Sequence, residues 1–166
     1  MGGRARIHVT ETFPPHDAAA LLALCAGEWL SLRSRFDLCQ AQGDDDGAWH
    51  ASERGELRQT WTAAPAEGEL LGVLESRAPD GRVQRLTFQR DGRLQAVGGV
   101  QGNWQLEGEG RLQLSHGADG IDHLETIWFA KPNLRLRSLL ARQGEALLSA
   151  GFCSEVRRVT RPQATA

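Results

Sequence analysis

From Trp29 onward, apolar residues recur at every second position in a series of short segments. Turn-forming residues divide them: PDG at 79–81, RDG at 90–92, GG at 98–99, HGADG at 116–120, KPN at 131–133 and QG at 143–144. A period of two marks strands with one buried face, and closely spaced turn signals join neighbours into hairpins. The pattern predicts a meander of about ten antiparallel strands. Ahead of it, HDAAALLALCAG (residues 16–27) predicts one short N-terminal helix. Asp17 can accept backbone hydrogen bonds at its start, alanine and leucine favour its interior, and Gly27 can take a left-handed cap at its end. One helix followed by consecutive strands points to an all-β fold, a closed up-and-down antiparallel barrel in which closure removes aggregation-prone edges. A two-sheet sandwich is the competing architecture, but the short turns favour the meander.

Two segments alternate arginine with leucine. In WLSLRSRFDLC (29–39), Trp29, Ser31, Arg33, Arg35 and Asp37 share one face, and Leu30, Leu32, Phe36 and Leu38 the other. In NLRLRSLLA (133–141), Arg135 and Arg137 oppose Leu134 and Leu136. Periodicity alone favours leucines inward and arginines in water. Two features pull the other way. Arginine is used nearly to the exclusion of lysine, Lys131 being the only one, and Glu125 and Glu155 lie within the apolar strands IDHLETIWF and LLSAGFCSEVRR. A guanidinium matches a carboxylate bidentately, so glutamates beside these arginines can hold them ready for a ligand with two carboxylates.

Composition narrows the classes. With 166 residues, 40% hydrophobic and 24% charged, the chain matches an average globular protein, expected as one domain over residues 1–160 with a frayed tail, RPQATA, at 161–166. The formal charge of −2 is uneven: residues 131–166 carry seven Lys+Arg against two Glu, the first 130 twelve against nineteen Asp+Glu. That basic third suits an anionic ligand but lacks the density and aromatic interleaving of a nucleic-acid surface. Cys25, Cys39 and Cys153 are odd in number and widely spaced, which fits reduced, mostly buried thiols in a cytosol. The longest apolar run, AAALLALCA, falls far short of the ~20 residues that cross a bilayer, and a cytoplasmic location is expected.

Other chemistries find no support. GDDDG at 43–47 reads as a solvated loop, without the spaced oxygen ligands of a calcium site. His8, His16, His50, His116 and His123 show no metal-ligand spacing, so no metal is expected. No nucleophile elbow, phosphate-cradling glycine loop or catalytic triad pattern is present, which argues against a hydrolase, kinase or dehydrogenase. Trp29, Trp61, Trp104 and Trp128 offer flat apolar surface, as core or as platform for a conjugated ring.

The stretch ETIWFAKPNLRLRS followed by GFCSEVRR resembles the S-type phycobiliprotein lyases, or bilin chromophore lyases, with patterns like ERxWFxxPNLRLRTS and FCSEIRR. GEWLSLRS resembles that family's start after a short helix, and the three blocks span roughly a third of the chain. The resemblance implies a lipocalin-like barrel of ten strands that binds a linear tetrapyrrole, phycocyanobilin or phycoerythrobilin, as substrate rather than cofactor. It also implies transfer of that bilin to a cysteine of an apo-phycobiliprotein alpha or beta subunit, as a thioether at the ring A ethylidene. A bilin carries two propionates and a long conjugated plane, the acidic partner the arginines call for.

Carried over by motif, Arg33, Arg135, Arg137 and Glu155 are implied ligand-binding residues, together with Ser138 and Trp61, and Glu125 is the implied catalytic carboxylate. Ser138 stands for the family's threonine, Leu139 for a serine, Phe36 near a usual histidine, and Trp61 alone for a tryptophan pair. The thiol nucleophile belongs to the acceptor, so Cys153 is read as packing. Alternative readings are a bilin carrier that catalyses no transfer, or a partner subunit of a heterodimeric lyase; a homodimer is a further option.

Overall fold

The computed structural model describes residues 12–39 and 50–159. His8, the acidic loop at 43–47 and the tail at 161–166 lie outside the described residues.

Asp17 starts helix α1 (Ala18–Cys25), its side chain accepting from the Ala19 amide at 3.1 Å. Ala18, Leu21, Leu22 and Cys25 recur at i, i+3, i+4 and i+7 and bury one face against β2 (His50–Ala63) and β3 (Leu70–Arg77). The helix ends differently from the expectation. Gly27 has φ 139°, outside the left-handed cap region, and the cap residue Ala26 is extended. Arg157 instead donates to the carbonyls of Leu24 and Ala26, a cation at the negative helix end. A Cβ on Gly27 would collide with that guanidinium, so the glycine serves close approach rather than a turn.

The remaining strands are β1 (Gly27–Asp37), β4 (Val83–Gln89), β5 (Arg93–Ala96), β6 (Gln101–Glu107), β7 (Arg111–Ala118), β8 (Ile121–Lys131), β9 (Leu134–Gln143) and β10 (Ala146–Arg157). Each pairs antiparallel with its sequence neighbour, and β1 pairs with β10, closing a ten-stranded up-and-down barrel rather than a sandwich. The predicted turns fall at the strand junctions, except that residues 116–118 of HGADG continue β7 and only Asp119 and Gly120 turn. Between β7 and β8, Asp119 (φ 54°) and Gly120 (φ 74°) form a two-residue turn with positive φ at both positions, which matches the strand twist. No helix among the described residues is long and apolar enough to cross a membrane.

One end of the barrel is packed solid. Trp29, Leu57, Leu74, Phe88, Leu112 and Phe129 form its core beneath α1. Phe88 meets Trp61 and Trp104 edge-on with ring centroids 6.0 Å apart, and Trp104 Nε1 donates to the Gln89 carbonyl at 2.8 Å. The other end is open in its wall. β2 pairs with β1 from His50 to Gln59 but meets β3 only from Arg58 onward, so among the described residues no strand flanks residues 51–57 on that side.

A Cβ at Gly72 would lie 2.5 Å from the Trp61 ring and 2.6 Å from the Thr62 carbonyl oxygen. Gly72→Ala is therefore expected to destabilise the barrel by about 1–3 kcal/mol, measured as a lower urea midpoint at unchanged slope.

Candidate functional site

The arginine face looks inward. Arg135 is 1% exposed, whereas Leu30 and Leu32 on the opposite parity are 44% and 46% exposed. Cross-strand register lines up two interior rows, Ser31–Glu155–Arg135–Phe129 and Arg33–Cys153–Arg137–Ile127. The reading that periodicity alone favoured, leucines inside, is thus overturned. Its physical reason lies on the two strands that flank β9: Glu155 on β10 and Glu125 on β8 supply interior carboxylates, so the guanidinium face can be buried without stranded charge.

Arg135 Nε donates to Glu155 Oε2 at 2.6 Å and its Nη1 to Gln59 Oε1, while Gln59 Nε2 donates to Ser76 Oγ at 2.7 Å. Its guanidinium carbon lies 4.4 Å from the Trp29 ring centroid, and that of Arg157 lies 4.3 Å from it. Trp29 Nε1 donates to the Cys25 carbonyl at 2.9 Å, tying this stack to the helix end. Arg137 Nη1 donates to Glu125 Oε1 at 2.8 Å, and its Nη2 lies 3.3 Å from Glu155 Oε1. Burial by itself would lower the Arg137 pKa, but Glu125 and Glu155 outweigh it and raise it further, which keeps the group cationic. Burial pushes the Cys153 thiol up, only partly offset by Arg137.

A cleft of about 680 Å3 opens through the wall between residues 53–57 of β2 and the β3–β4 turn. Arg33, Gln59, Ser76, Gln84 and Arg137 line it. A smaller pocket of about 170 Å3 continues beyond Gln84, lined by Glu125, Leu139, Leu114 and the stacked pair His116–His123. The Arg137–Glu125 ion pair spans the two spaces. Together they match the few hundred to one thousand Å3 typical of small-molecule sites. Burial pulls the His116 pKa down, with the neighbouring His123 charge adding to it and Glu125 opposing.

The structure therefore brings Arg33, Glu125, Arg135, Arg137 and Glu155 together but gives them different access. Arg137 and Glu125 reach the cavity, with side chains 15% and 24% exposed. Arg33 stands at the mouth, its Nε 3.4 Å from Ser31 Oγ and its Nη1 3.7 Å from Glu53. Arg135 and Glu155, at 1% and 0%, are sealed beneath them. Two expected positions lie elsewhere. Trp61 packs into the apolar core over Gly72 and Phe88, away from the cavity. Ser138 has the outward parity, between Thr126 and Phe152, because it is one residue out of phase with Arg137. Gln59, Trp29 and Arg157 complete the network and were not singled out as site residues by the motifs. A glutamine between Leu57 and Trp61 on one strand parity was the available signal for the first.

Comparison with known proteins was consistent. The family described as CpeS-like protein matches residues 79–158. Chromophore lyase CpcS/CpeS 1 of Paulinella chromatophora is 41% identical over 155 residues, 92% of this chain and 95% of that protein. Chromophore lyase CpcS/CpeS 2 of Synechococcus sp. (strain JA-3-3Ab) is 28% identical over 159 residues, covering 96% and 76%. The structure of the S-type phycobiliprotein lyase CPES from Guillardia theta superposes with a TM-score of 0.66 at 21% identity, over 86% of this chain and 93% of that one, and so shares the fold.

Glu155→Leu leaves Arg135 charged and buried, and is expected to cost about 3–5 kcal/mol in urea unfolding, much of it recovered when Arg135→Met is added. Because its pKa is raised, Cys153 holds less thiolate at pH 8 than an ordinary cysteine. Iodoacetamide is accordingly expected to modify exposed Cys39 well before Cys153, with the Cys153 rate still rising above pH 9, as followed by peptide mass spectrometry.

Proposed function

This chain belongs to the CpcS/CpeS chromophore lyase family, and from that premise we propose that it holds phycocyanobilin or phycoerythrobilin in the barrel cleft and directs its attachment to a cysteine of an apo-phycobiliprotein subunit. The observation that carries this reading is Arg137, a buried cation held between Glu125 and Glu155 where the cleft meets the inner pocket. Its side chain is ordered before any ligand arrives, so little conformational entropy is lost on gripping a propionate carboxylate. Arg33 at the mouth supplies the second cation. Glu155 and Arg135 act as positioning residues: Glu155 holds Arg137 from behind, Arg135 holds Glu155, and Gln59, which also lines the cleft, braces Arg135.

Glu125 lines the inner pocket and is proposed to meet the pyrrole N–H groups. A carboxylate there stabilises a protonated bilin and makes ring A more electrophilic. The acceptor's S–H then adds across the ethylidene double bond: one S–C and one C–H bond form, one C=C bond is lost, and no oxidant or reductant is needed. The protein's contribution is orientation, which selects the face attacked and the cysteine reached. Cys153, buried and largely protonated, has no part in this addition.

The test is spectroscopic. Mixing the protein with either bilin is expected to shift the pigment's absorption band, and an added apo-subunit should then acquire colour that survives acid-urea denaturation. A band without acid-stable colour would identify a carrier or an incomplete heterodimeric lyase; no band would overturn the reading. Arg137→Gln and, at the exposed mouth, Arg33→Gln are each expected to weaken bilin binding about tenfold, the loss of one charge-assisted hydrogen bond. Glu125→Gln should preserve the band while slowing transfer at least about tenfold, and an unchanged rate would remove Glu125 from the mechanism.

A further inference from the structure

Two histidines stand in the barrel wall beside Glu125. His116 on β7 and His123 on β8 are direct cross-strand partners, and their rings stack with centroids 4.9 Å apart and planes 13° apart. Both have the inward parity of Leu114 and Glu125, and Glu125 follows His123 on the same face of β8, about 6.6 Å along the strand. Their row reads Gly102–His116–His123–Ala141, so no side chain larger than a methyl group flanks the pair. Although inward in parity, the pair is reached from both sides of the sheet. It lines the inner pocket together with Glu125. It also lines a separate depression of about 310 Å3 on the outer face of β6–β9, where Gln101, Asn103, Asp122 and Arg142 have outward parity. Gly102 borders both spaces, and a Cβ there would collide with the Ser115 carbonyl oxygen, so no side chain can close the wall at that point.

We infer that His116 and His123 form a proton relay between solvent in the outer depression and Glu125 in the inner pocket, serving Glu125 while pigment and acceptor fill the cleft. The inference rests on the bilin reading and deepens it. The addition moves protons at two places. The acceptor's sulfur loses one at the cleft, and a carbon of the reacting ring gains one, so none is consumed but each must be handled by a group in reach. A carboxylate that keeps the pigment protonated has to be reloaded. With the cleft filled, pigment lies between Glu125 and the water on that side, and the histidines offer the route through the opposite wall. Histidine is also the side chain that takes and gives protons near neutral pH. Few charges bear on the pair. Glu125 faces it from the inner pocket, Asp122 and Arg142 stand at the outer depression, and β4, β5 and β6 bring no charged side chain to either space. Burial and the adjacent His123 charge hold His116 toward its neutral form, against the pull of Glu125, which disfavours charging both rings at once. One ring can then accept a proton as the other gives one up.

The test compares the wild-type chain with His116→Phe, His123→Phe and the double variant, phenylalanine preserving the stack and the wall. His116→Gln and His123→Gln are run alongside, so that a phenylalanine that harms folding leaves the comparison intact. All variants are expected to give the wild-type absorption band with bound bilin, because the relay acts through Glu125 and not on the pigment. Transfer to the apo-subunit, read as acid-stable colour in a single turnover, is expected to slow at least about tenfold in the double variant. The ratio of wild-type to variant rate should fall as pH rises through the range in which histidine loses its proton; ionisation of the acceptor thiol is common to both proteins and cancels. Added imidazole should restore much of the lost rate, which a purely structural defect would not allow. A double variant with the wild-type rate and pH profile overturns the inference and leaves the bilin reading standing. So does a slow variant that imidazole does not rescue and whose rate ratio is flat with pH. Variants that lose the band would assign the histidines to pigment binding and overturn the relay. A wild type that forms no band removes the bilin reading itself and the inference with it.

Discussion

A guanidinium stays inside a barrel only if carboxylates meet it there, and the pairing of Arg135 with Glu155 is the condition on which this architecture rests. Both groups are withdrawn from water, so neither is tolerable without the other. Their pairing sets the phase of β9 and β10, and with it the face on which every other side chain of those strands falls. The pair is braced on one side by Gln59 and Ser76 and on the other by the Trp29 ring. Trp29 also carries Arg157, whose donors close the C-terminal end of α1. Helix, aromatic ring and buried ions thus form one connected unit spanning the packed end of the barrel.

The site follows from where that unit stops. Below it, apolar side chains from eight strands and the helix leave no room; above it, the residues around the two spaces include Arg137, Arg33, Glu125, Leu139 and the His116–His123 pair, with glycine at 102 and 151. Gly102 is one place where a side chain is excluded outright, since a Cβ would come within 2.3 Å of the Ser115 carbonyl oxygen. Arg137 is the hinge between regions: it shares Glu155 with the buried pair and Glu125 with the inner pocket. A cation held from behind by two carboxylates yet reachable from the cleft is suited to a carboxylated pigment, and the same phase choice that produced it left leucines facing solvent.

Much of this was legible in the chain. Period-two alternation, turn residues and one capped helix sufficed for a ten-stranded closed meander, and the blocks ETIWFAKPNLRLRS and GFCSEVRR for the charged set. Gly27 was legible as a special position but not for the right reason, because the approach of Arg157 from 130 residues away leaves no local trace. Trp61, expected in the site from the family's tryptophan pair, belongs to the packed end, and Ser138, next to Arg137 in the chain, points to the opposite face.

The sequence by itself determined which residues share a face and that one face of β9 must carry two arginines, because backbone pleating makes that a local property. Only tertiary structure decided which face was concave. A strand's alternation is the same read from either side, and the choice was made by Glu155 and Glu125 arriving on neighbouring strands to neutralise the guanidinium groups, an interaction between residues that the chain brings together only when the barrel closes.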